Sequence, residues 1–162
     1  MIGKEKFRRV MGHFATGVTV LTVRTPEGEL SGLTVNTLTS VSLEPPLVLV
    51  CIHRDADSHD PIVDTGYFAV SVLAREQEEL ALTFSRGEAS QRFQGLETLD
   101  APMGSPVLPG CLAWLECRVE AFHPGGDHSI VVAEVLESEI LGGDPLLFFR
   151  GTLTGFEDSP ES

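Results

Sequence analysis

Two long β-prone segments joined by a tight turn constrain the fold of this chain more than any other feature. The segments CLAWLECRVEAFH (111–123) and HSIVVAEVLESEIL (128–141) are separated only by PGGD. A connection this short and rich in glycine predicts a hairpin of two antiparallel strands. Most other strand-like segments are also joined by turns rather than by helical crossovers. The sequence therefore predicts a mainly β (α+β) fold, an antiparallel barrel or sandwich with short peripheral helices.

The rest of the chain is predicted to add further strands and three short helices to this hairpin. Strands are expected at 18–23, 32–38, 46–53, 67–74 and 145–151. Helices are expected near 61–65 and over 75–85, and the Gly- and Pro-rich residues 86–109 are typical of a long connection. A first helix, with Gly17 as its stop, is predicted from four apolar residues at helical spacing: Phe7, Val10, Met11 and Phe14.

The charge balance excludes several classes of partner. The 162 residues include 11 Lys and Arg against 24 Asp and Glu, a formal net charge of −13. Such a surface disfavours nonspecific binding to nucleic acid or to an anionic membrane. The length indicates one domain, predicted at 1–156, followed by an acidic flexible tail at 157–162.

The N-terminus and the cysteines indicate where the chain is expected to work. The segment MIGKEKFRRVMGHF is charged, so no signal peptide is expected, and no apolar run is long enough for a transmembrane helix. The three cysteines, Cys51, Cys111 and Cys117, form no CxxC pair. An odd number of cysteines without an export signal suggests free thiols, and a cytoplasmic location is expected.

Motifs for common catalytic sites are absent. The chain contains no P-loop, no Rossmann glycine fingerprint, no HExxH and no GxSxG. His53 and His59 flank two aspartates and could in principle hold a metal, but a solvated loop is the preferred interpretation and no metal is predicted. If the chain is an enzyme, a bound cofactor is expected to supply the difficult chemistry.

The segment GLTVNTLTSVSLEPPLVLVC (32–51) is unusual because small hydroxyls and one amide crowd its first half. The sequence reads as a strand, a turn and a second strand. Threonine and serine here can reflect β-propensity on a half-exposed strand. They can equally form a wall of neutral hydrogen-bonding groups that holds a polar ligand.

Seven segments, in order, resemble the short flavin reductases, the small components of two-component flavin-dependent monooxygenases. The resemblance covers roughly 7–151 and rests on FATGVTVLTV (14–23), GLTVNTLTSVSLEPPLVLVCI (32–52), YFAVSVLAREQEELALTFS (67–85), QRFQG (91–95), LAWLECRVEAF (112–122), GDHSIVVAEV (126–135) and PLLFFRG (145–151). It implies the FMN-binding split-barrel fold, an antiparallel Greek-key barrel, in a homodimer.

The family's activity implies an NAD(P)H:flavin oxidoreductase. NADH or NADPH would deliver hydride directly to FMN or FAD, and reduced flavin would leave by diffusion for a partner monooxygenase. NADH is favoured over NADPH because no arginine cluster marks a 2′-phosphate site. An alternative is a flavoprotein electron carrier that keeps FMN tightly bound and passes electrons to a protein partner. A third possibility is a split barrel without a redox role.

The resemblance also assigns residues to the flavin. They are predicted to line the ring and ribityl chain with backbone groups and small hydroxyls, which bond the ring edge without adding a charge. These residues are Thr34, Val35, Asn36, Thr37, Ser40, Val41, Ser42 and Cys51. Ser40, Val41 and Ser42 are expected in the turn that follows the strand.

The phosphate end of the flavin is expected at the loop after Cys51. Ser58 precedes a short helix, and its hydroxyl and the helix-start N–H groups are predicted to take the phosphate. Arg92 is the predicted compensating cation, with Arg54 as a further candidate and a surface arginine as the alternative reading. The loop departs from the family's Ser/Thr-rich pattern, because Asp55 and Asp57 would repel a phosphate unless they point away.

The nicotinamide nucleotide is assigned to the GDH triplet at 126–128. His128 is predicted to hold NAD(P)H in place without transferring a proton, and Asp127 to shape the turn. An exposed histidine in an ordinary hairpin is the alternative. Phe149 is predicted near the nicotinamide pocket or, alternatively, in the core. Ala133 stands where the family often has glycine, with a minor effect expected.

Overall fold

The computed structural model describes residues 1–156, and the tail predicted at 157–162 lies outside the described residues. The described residues contain three α-helices, α1 (Lys4–Met11), α2 (His59–Thr65) and α3 (Glu78–Arg86), and two short 3-10 helices at Arg75–Gln77 and Ala89–Gln91. The twelve strands are β1 (Thr16–Gly17), β2 (Thr19–Arg24), β3 (Leu30–Val35), β4 (Thr39–Leu43), β5 (Pro46–His53), β6 (Tyr67–Val72), β7 (Leu99–Asp100), β8 (Pro106–Val107), β9 (Ala113–Gly125), β10 (His128–Ile140), β11 (Leu147–Phe149) and β12 (Thr152–Thr154).

Seven of these strands form one antiparallel sheet in the order β3-β2-β6-β9-β10-β5-β4. The predicted hairpin is its longest element, with β9 and β10 paired from His128↔Gly125 to Ile140↔Ala113. Two small sheets, β1-β11-β12 and β7-β8, accompany it. The prediction of a mainly antiparallel β fold with few helices is confirmed.

The large sheet is strongly curled. Its outermost strands, β3 and β4, are joined only by residues 36–38. In a flat sheet these strands would lie about 29 Å apart at the usual spacing between neighbours. The link can span only about 14 Å even when fully extended. The two edges of the sheet must therefore approach each other, although β3 and β4 do not pair in the described part of the chain.

A single apolar core fills the inside of the curl. It collects inward-facing side chains from six strands, and Ile62 of α2 closes one end. Val35 of edge strand β3 and Val48 of β5 belong to this cluster although four strands separate β3 from β5 in the sheet. A second cluster, including Phe84 of α3, packs on the outer face. Apolar side chains from both edges of the sheet are buried in one core, and this burial stabilises the curled sheet.

Polar anchors order the long connection predicted at 86–109. The buried Glu116 carboxylate accepts the backbone N–H groups of Met103 (2.9 Å) and Ser105 (3.1 Å). The Thr22 hydroxyl donates to the carbonyl of Pro106. The connection is therefore fixed on the sheet by bonds to β9 and β2, and it contains the β7-β8 hairpin.

Two local predictions are wrong. Residues 39–43 form strand β4 rather than a turn, so Ser40, Val41 and Ser42 lie on a strand. Four of its five residues are exposed and none is buried, so the strand has no buried face. Helix α1 ends at Met11, where the Gly12 N–H bonds the Arg8 carbonyl. Gly17 is not a helix stop but part of β1, which pairs with β11.

Helix α1 has no buried residue in the single chain. Its predicted apolar face is present, but it points to solvent. The exposed side chains are Phe7, Val10, Met11 and Phe14. Within residues 1–156, no helix is long and apolar enough to span a bilayer.

Candidate functional site

The link between the two sheet edges is clipped to strand β5 by one side chain. The Thr37 hydroxyl donates to the Cys51 carbonyl (3.1 Å) and accepts the Cys51 N–H (2.9 Å). Pairing between β4 and β5 stops at Leu49, so this hydroxyl satisfies backbone groups just beyond the end of the ladder. Strand β3 also approaches β5 here. We call the region between β3, the 36–38 link and the end of β5 the edge cleft.

Two residues predicted to line the flavin, Thr34 and Val35, have side chains that pack within the protein at the border of the edge cleft. The Thr34 hydroxyl donates to the Ala81 carbonyl at 2.6 Å, which ties β3 to α3. Val35 is buried in the core. A ligand would therefore meet the backbone of these two residues rather than the Thr34 hydroxyl or the Val35 side chain.

Asn36 presents a free amide at the start of the link. It is exposed, and no group within residues 1–156 forms a hydrogen bond with its side chain. It lines two adjoining openings, one of about 200 Å³ with Thr34 and Phe148, and one of about 890 Å³ with Phe14 and Thr37. An amide that can both donate and accept suits a ligand edge with alternating C=O and N–H groups.

Strand β4 follows directly after the 36–38 link and carries the hydroxyls of Thr39, Ser40 and Ser42. Ser40 and Ser42 flank a shift of register against β5, which makes Val41 an extra residue with an exposed side chain. Strand β4 is at the end of the sheet order, so one side of its backbone is unpaired. Such an edge offers N–H and C=O groups to a ligand or a partner.

Cys51 contributes backbone rather than thiol chemistry. Its side chain is half-buried, and burial raises the pKa of the Cys51 thiol. A thiol with a raised pKa is neutral near pH 7 and is a poor nucleophile. Its backbone holds the Thr37 clip, while Ile130 of β10 is its partner on the other side.

His128 lies beside the edge cleft because it is paired with His53 at the end of β5. The two rings meet edge to face with centroids 5.0 Å apart. His128 Nδ1 lies 2.7 Å from the Asp127 carboxylate, which can only accept, so Nδ1 carries the hydrogen. Nε2 has no hydrogen-bond partner within residues 1–156. This hydrogen bond lowers the pKa of Asp127 below its ordinary value.

The loop after β5 is attached to the same turn. The Arg54 N–H donates to the Asp127 carbonyl (3.0 Å), and the Asp55 N–H donates to His53 Nδ1 (3.1 Å). His53 was considered in the sequence only as a metal ligand. Its pairing with His128 follows from strand register, which the sequence does not reveal. Within residues 1–156, no cluster of three or more His, Cys, Asp or Glu side chains could hold a metal ion.

Arg92 joins the far end of this loop to β3. Its Nε donates to the Gly87 carbonyl (3.1 Å) and its Nη1 to the Gly32 carbonyl (2.8 Å). Its Nη2 lies 3.3 Å from the Asp57 carboxylate. The guanidinium is thus held beside β3, two residues before Thr34, and is not a free surface arginine.

The Ser58 side chain is placed differently from the expectation. It is buried, and its hydroxyl shares a 2.7 Å hydrogen bond with the Ser31 hydroxyl instead of capping helix α2. Helix α2 begins at His59, whose Nε2 is 2.9 Å from the Ser129 hydroxyl. These contacts fix the loop on β3 and β10.

Phe149 lies apart from these contacts. It is half-buried, and its ring meets His13 edge to face at 6.3 Å and carries the Arg150 guanidinium 4.9 Å above it. Arg150 has a left-handed φ of 52° and donates its N–H to the Gly12 carbonyl. The neighbouring Phe148, which sequence reasoning did not single out, lines both openings beside Asn36.

The site thus consists of neutral backbone and side-chain groups, the paired imidazoles of His53 and His128, and the Arg92 guanidinium. Contacts connect Thr37 to Cys51 along β5 to His53 and His128, and through loop 54–58 to Arg92 and β3. Within residues 1–156 this arrangement contains no activated thiol or metal cluster. It can orient a polar, anionic ligand and present it to a second one, but it offers no obvious side-chain nucleophile.

Comparisons with known proteins show the family of this chain. A family model described as flavin reductase like domain matches residues 11–157. The FMN reductase (NADH) SmoA of Agrobacterium fabrum is 43% identical over 152 residues, which are 94% of this chain and 86% of the relative. The reductase subunit HsaB of a Rhodococcus jostii flavin-dependent monooxygenase is 40% identical over 157 residues, covering 96% of this chain and 80% of the relative.

A solved structure shows the same architecture. The NADH:FAD oxidoreductase of Streptomyces globisporus, in complex with NAD and FAD fragments, superposes with a TM-score of 0.90. The two chains are 37% identical, and the match covers 98% of this chain and 95% of the other. The family resemblance expected from the sequence is confirmed: this chain belongs to the family of flavin reductase like domains.

Proposed function

We propose that this chain is an NAD(P)H-dependent flavin reductase that reduces FMN or FAD and supplies reduced flavin to a partner monooxygenase. The observation that carries the proposal is the edge cleft of a flavin reductase like domain. There the Asn36 amide has no partner within residues 1–156, β4 is an edge strand, and His128 is paired with His53 at the end of β5. Relatives named NADH-dependent FMN or FAD reductases support NADH as the reductant and leave both flavins open.

The residues at the edge cleft fit a flavin. The isoalloxazine edge alternates acceptors and donors, which neutral amide, hydroxyl and backbone groups can pair without introducing a charge. Asn36, Ser40 and the β4 backbone provide such groups. One further polar atom on the larger opening, Thr16 Oγ1, is buried and has no hydrogen-bond partner within residues 1–156.

When flavin and NADH are bound together, flavin supplies the hydride acceptor and the dihydronicotinamide the hydride. The chain's own contribution is position. Because Asp127 holds Nδ1 of His128, Nε2 is the ring nitrogen left to bond the nucleotide, for example by accepting from its amide. No side chain has to form a covalent bond or to act as a general base.

The remaining features of the assignment are proposals of the same kind. The curled sheet with approaching but unpaired edges supports a split β-barrel with Greek-key connections, formed as one domain by residues 1–156. The free thiols Cys51, Cys111 and Cys117 support a cytoplasmic location. The name of HsaB, a monooxygenase reductase subunit, supports an oxygenase partner reached by diffusing reduced flavin.

The exposed apolar face of α1 supports a homodimer. Phe7, Met11 and Phe14 also line the larger opening beside Asn36 and Thr37, so a second copy covering α1 would border the edge cleft. A monomer would leave this apolar face in water, at a cost proportional to its area.

Met11→Glu is expected to break the dimer, because it places a charge in the covered face. Light scattering should give the mass of two chains for the native protein and of one chain for the variant. Leu99→Glu, which changes an exposed apolar residue on β7, should leave the dimer intact. A monomeric native protein would contradict the homodimer.

The activity itself is tested by following NADH oxidation at the nicotinamide absorption band with and without added FMN or FAD. We expect turnover that depends on added flavin and saturates with it. No turnover with either flavin, and with neither NADH nor NADPH, in a protein that still binds FMN would contradict the reductase and favour the electron carrier.

His128→Ala is expected to raise the KM for NADH by about tenfold or more, the usual effect of losing one hydrogen bond to a charged or polar ligand group. The kcat should change little, since the residue does not enter the chemistry. His123→Ala, at an exposed position of the same hairpin, is the matched control. If His128→Ala abolished FMN binding and left the KM for NADH unchanged, the assigned role would be wrong.

A further inference from the structure

Arg92, the cation assigned to the edge of the proposed flavin site, already forms an ion pair with the Asp57 carboxylate. Arg92 is only 11% exposed, whereas its partner Asp57 is 60% exposed. Two backbone carbonyls fix the plane of the guanidinium, and Asp57 approaches its solvent side. The pair therefore joins loop 54–58 to β3, with the Arg92 guanidinium held in place and the Asp57 carboxylate exposed to solvent.

The ion pair between Arg92 and Asp57 is weak enough for a stronger ligand to displace Asp57. Its Nη2–Oδ2 distance is 3.3 Å and it involves one nitrogen, whereas strong charge-assisted pairs are shorter, at about 2.7–2.9 Å, and often bidentate. Arg92 uses three of its N–H groups, so two of the five remain without a partner within residues 1–156. Asp57 can turn into water at little cost, because exposed ion pairs contribute little.

A phosphate is a stronger ligand for the same guanidinium. It carries more charge than a carboxylate and three acceptor oxygens, which allows two parallel hydrogen bonds to arginine. FMN and FAD both carry phosphate, and loop 54–58 connects Arg92 to the turn that holds His128. A phosphate that approaches Arg92 would meet the Asp57 carboxylate at contact distance, and the two anions repel each other.

We propose that Asp57 sets the affinity of the site for flavin by competing, as an internal carboxylate, with the flavin phosphate for Arg92. Flavin binds only when its phosphate displaces Asp57, so part of the attraction between phosphate and arginine is offset in the native protein. The consequence is a flavin that exchanges readily, as a diffusible substrate must. The inference rests on the proposed function, since it takes flavin as the ligand.

The test is the affinity of Asp57→Asn for FMN and for riboflavin, which has the same ring and ribityl chain but no phosphate. Binding is measured without NADH, by quenching of flavin fluorescence. We expect the Kd for FMN to fall about tenfold, as for a gained charge-assisted bond, and the Kd for riboflavin to change by less than about twofold. Asparagine keeps the shape of the side chain, and thermal melting checks the fold.

Asp55→Asn is the matched control. It removes the same charge from the same loop, but the Asp55 side chain does not contact Arg92. A tenfold effect at Asp57 with less than a threefold effect at Asp55 separates competition at Arg92 from a general loss of negative charge. Equal effects at the two positions would overturn the proposal.

A second variant tests the partner. In an Arg92→Gln background, Asp57→Asn should no longer change the ratio of the FMN and riboflavin Kd values. An unchanged ratio in Asp57→Asn itself, with both flavins still bound, would overturn the inference and leave the flavin reductase assignment standing. Failure of the native protein to bind either flavin would overturn the proposed function and the inference together.

Discussion

The three-residue link between the outermost strands of the sheet is the constraint on which the rest of this structure depends. Because residues 36–38 join β3 to β4, the seven strands cannot lie flat and must curl around one core. The same short link brings Asn36 and Thr37 to the place where the sheet edges approach. Unpaired backbone and small hydroxyls collect there because the ladder is interrupted, and this is where a polar ring can be held by neutral groups.

Charge is distributed around this cleft in a way that suits anionic ligands in an acidic protein. The net charge of −13 repels nucleotides at long range, so specific cations have to provide the local attraction. Arg92 is anchored by backbone carbonyls, and His128 is oriented by Asp127. In both cases a carboxylate contacts the group that would meet the ligand. At His128 it fixes the ring, and at Arg92 it occupies the position a phosphate would take.

The elements with strong patterns could be predicted from the sequence. The β9-β10 hairpin followed from two long β-prone segments around PGGD, and β5 was predicted with the observed bounds. Strand β4 was missed because it is only five residues long and has no buried face, so pairing with β5 at the edge of the sheet defines it. Helix α1 was predicted from its apolar face, but no group among residues 1–156 buries that face.

Side-chain contacts at the site could not be predicted from the sequence, because they depend on strand register and tertiary packing. Phe148 and Phe149 are adjacent, and only the register of β11 with β1 and β12 decides which one faces the openings. The Ser58 hydroxyl was predicted to take a phosphate, whereas in the structure it is buried and shares a hydrogen bond with Ser31. Thr34 was predicted near the flavin ring, and its hydroxyl donates to the Ala81 carbonyl. Tertiary packing determines both contacts. The sequence predicted that Asp57 would repel a flavin phosphate, but only the structure showed that Asp57 pairs with Arg92.

The location of the flavin is the central claim, and a map of backbone amide NMR shifts during FMN titration tests it most directly. The account predicts the largest shifts at 34–42, along loop 51–58, and around Arg92 and His128. Shifts confined to the basic opening near Arg8, Arg9 and Arg150, with the edge cleft unaffected, would contradict it.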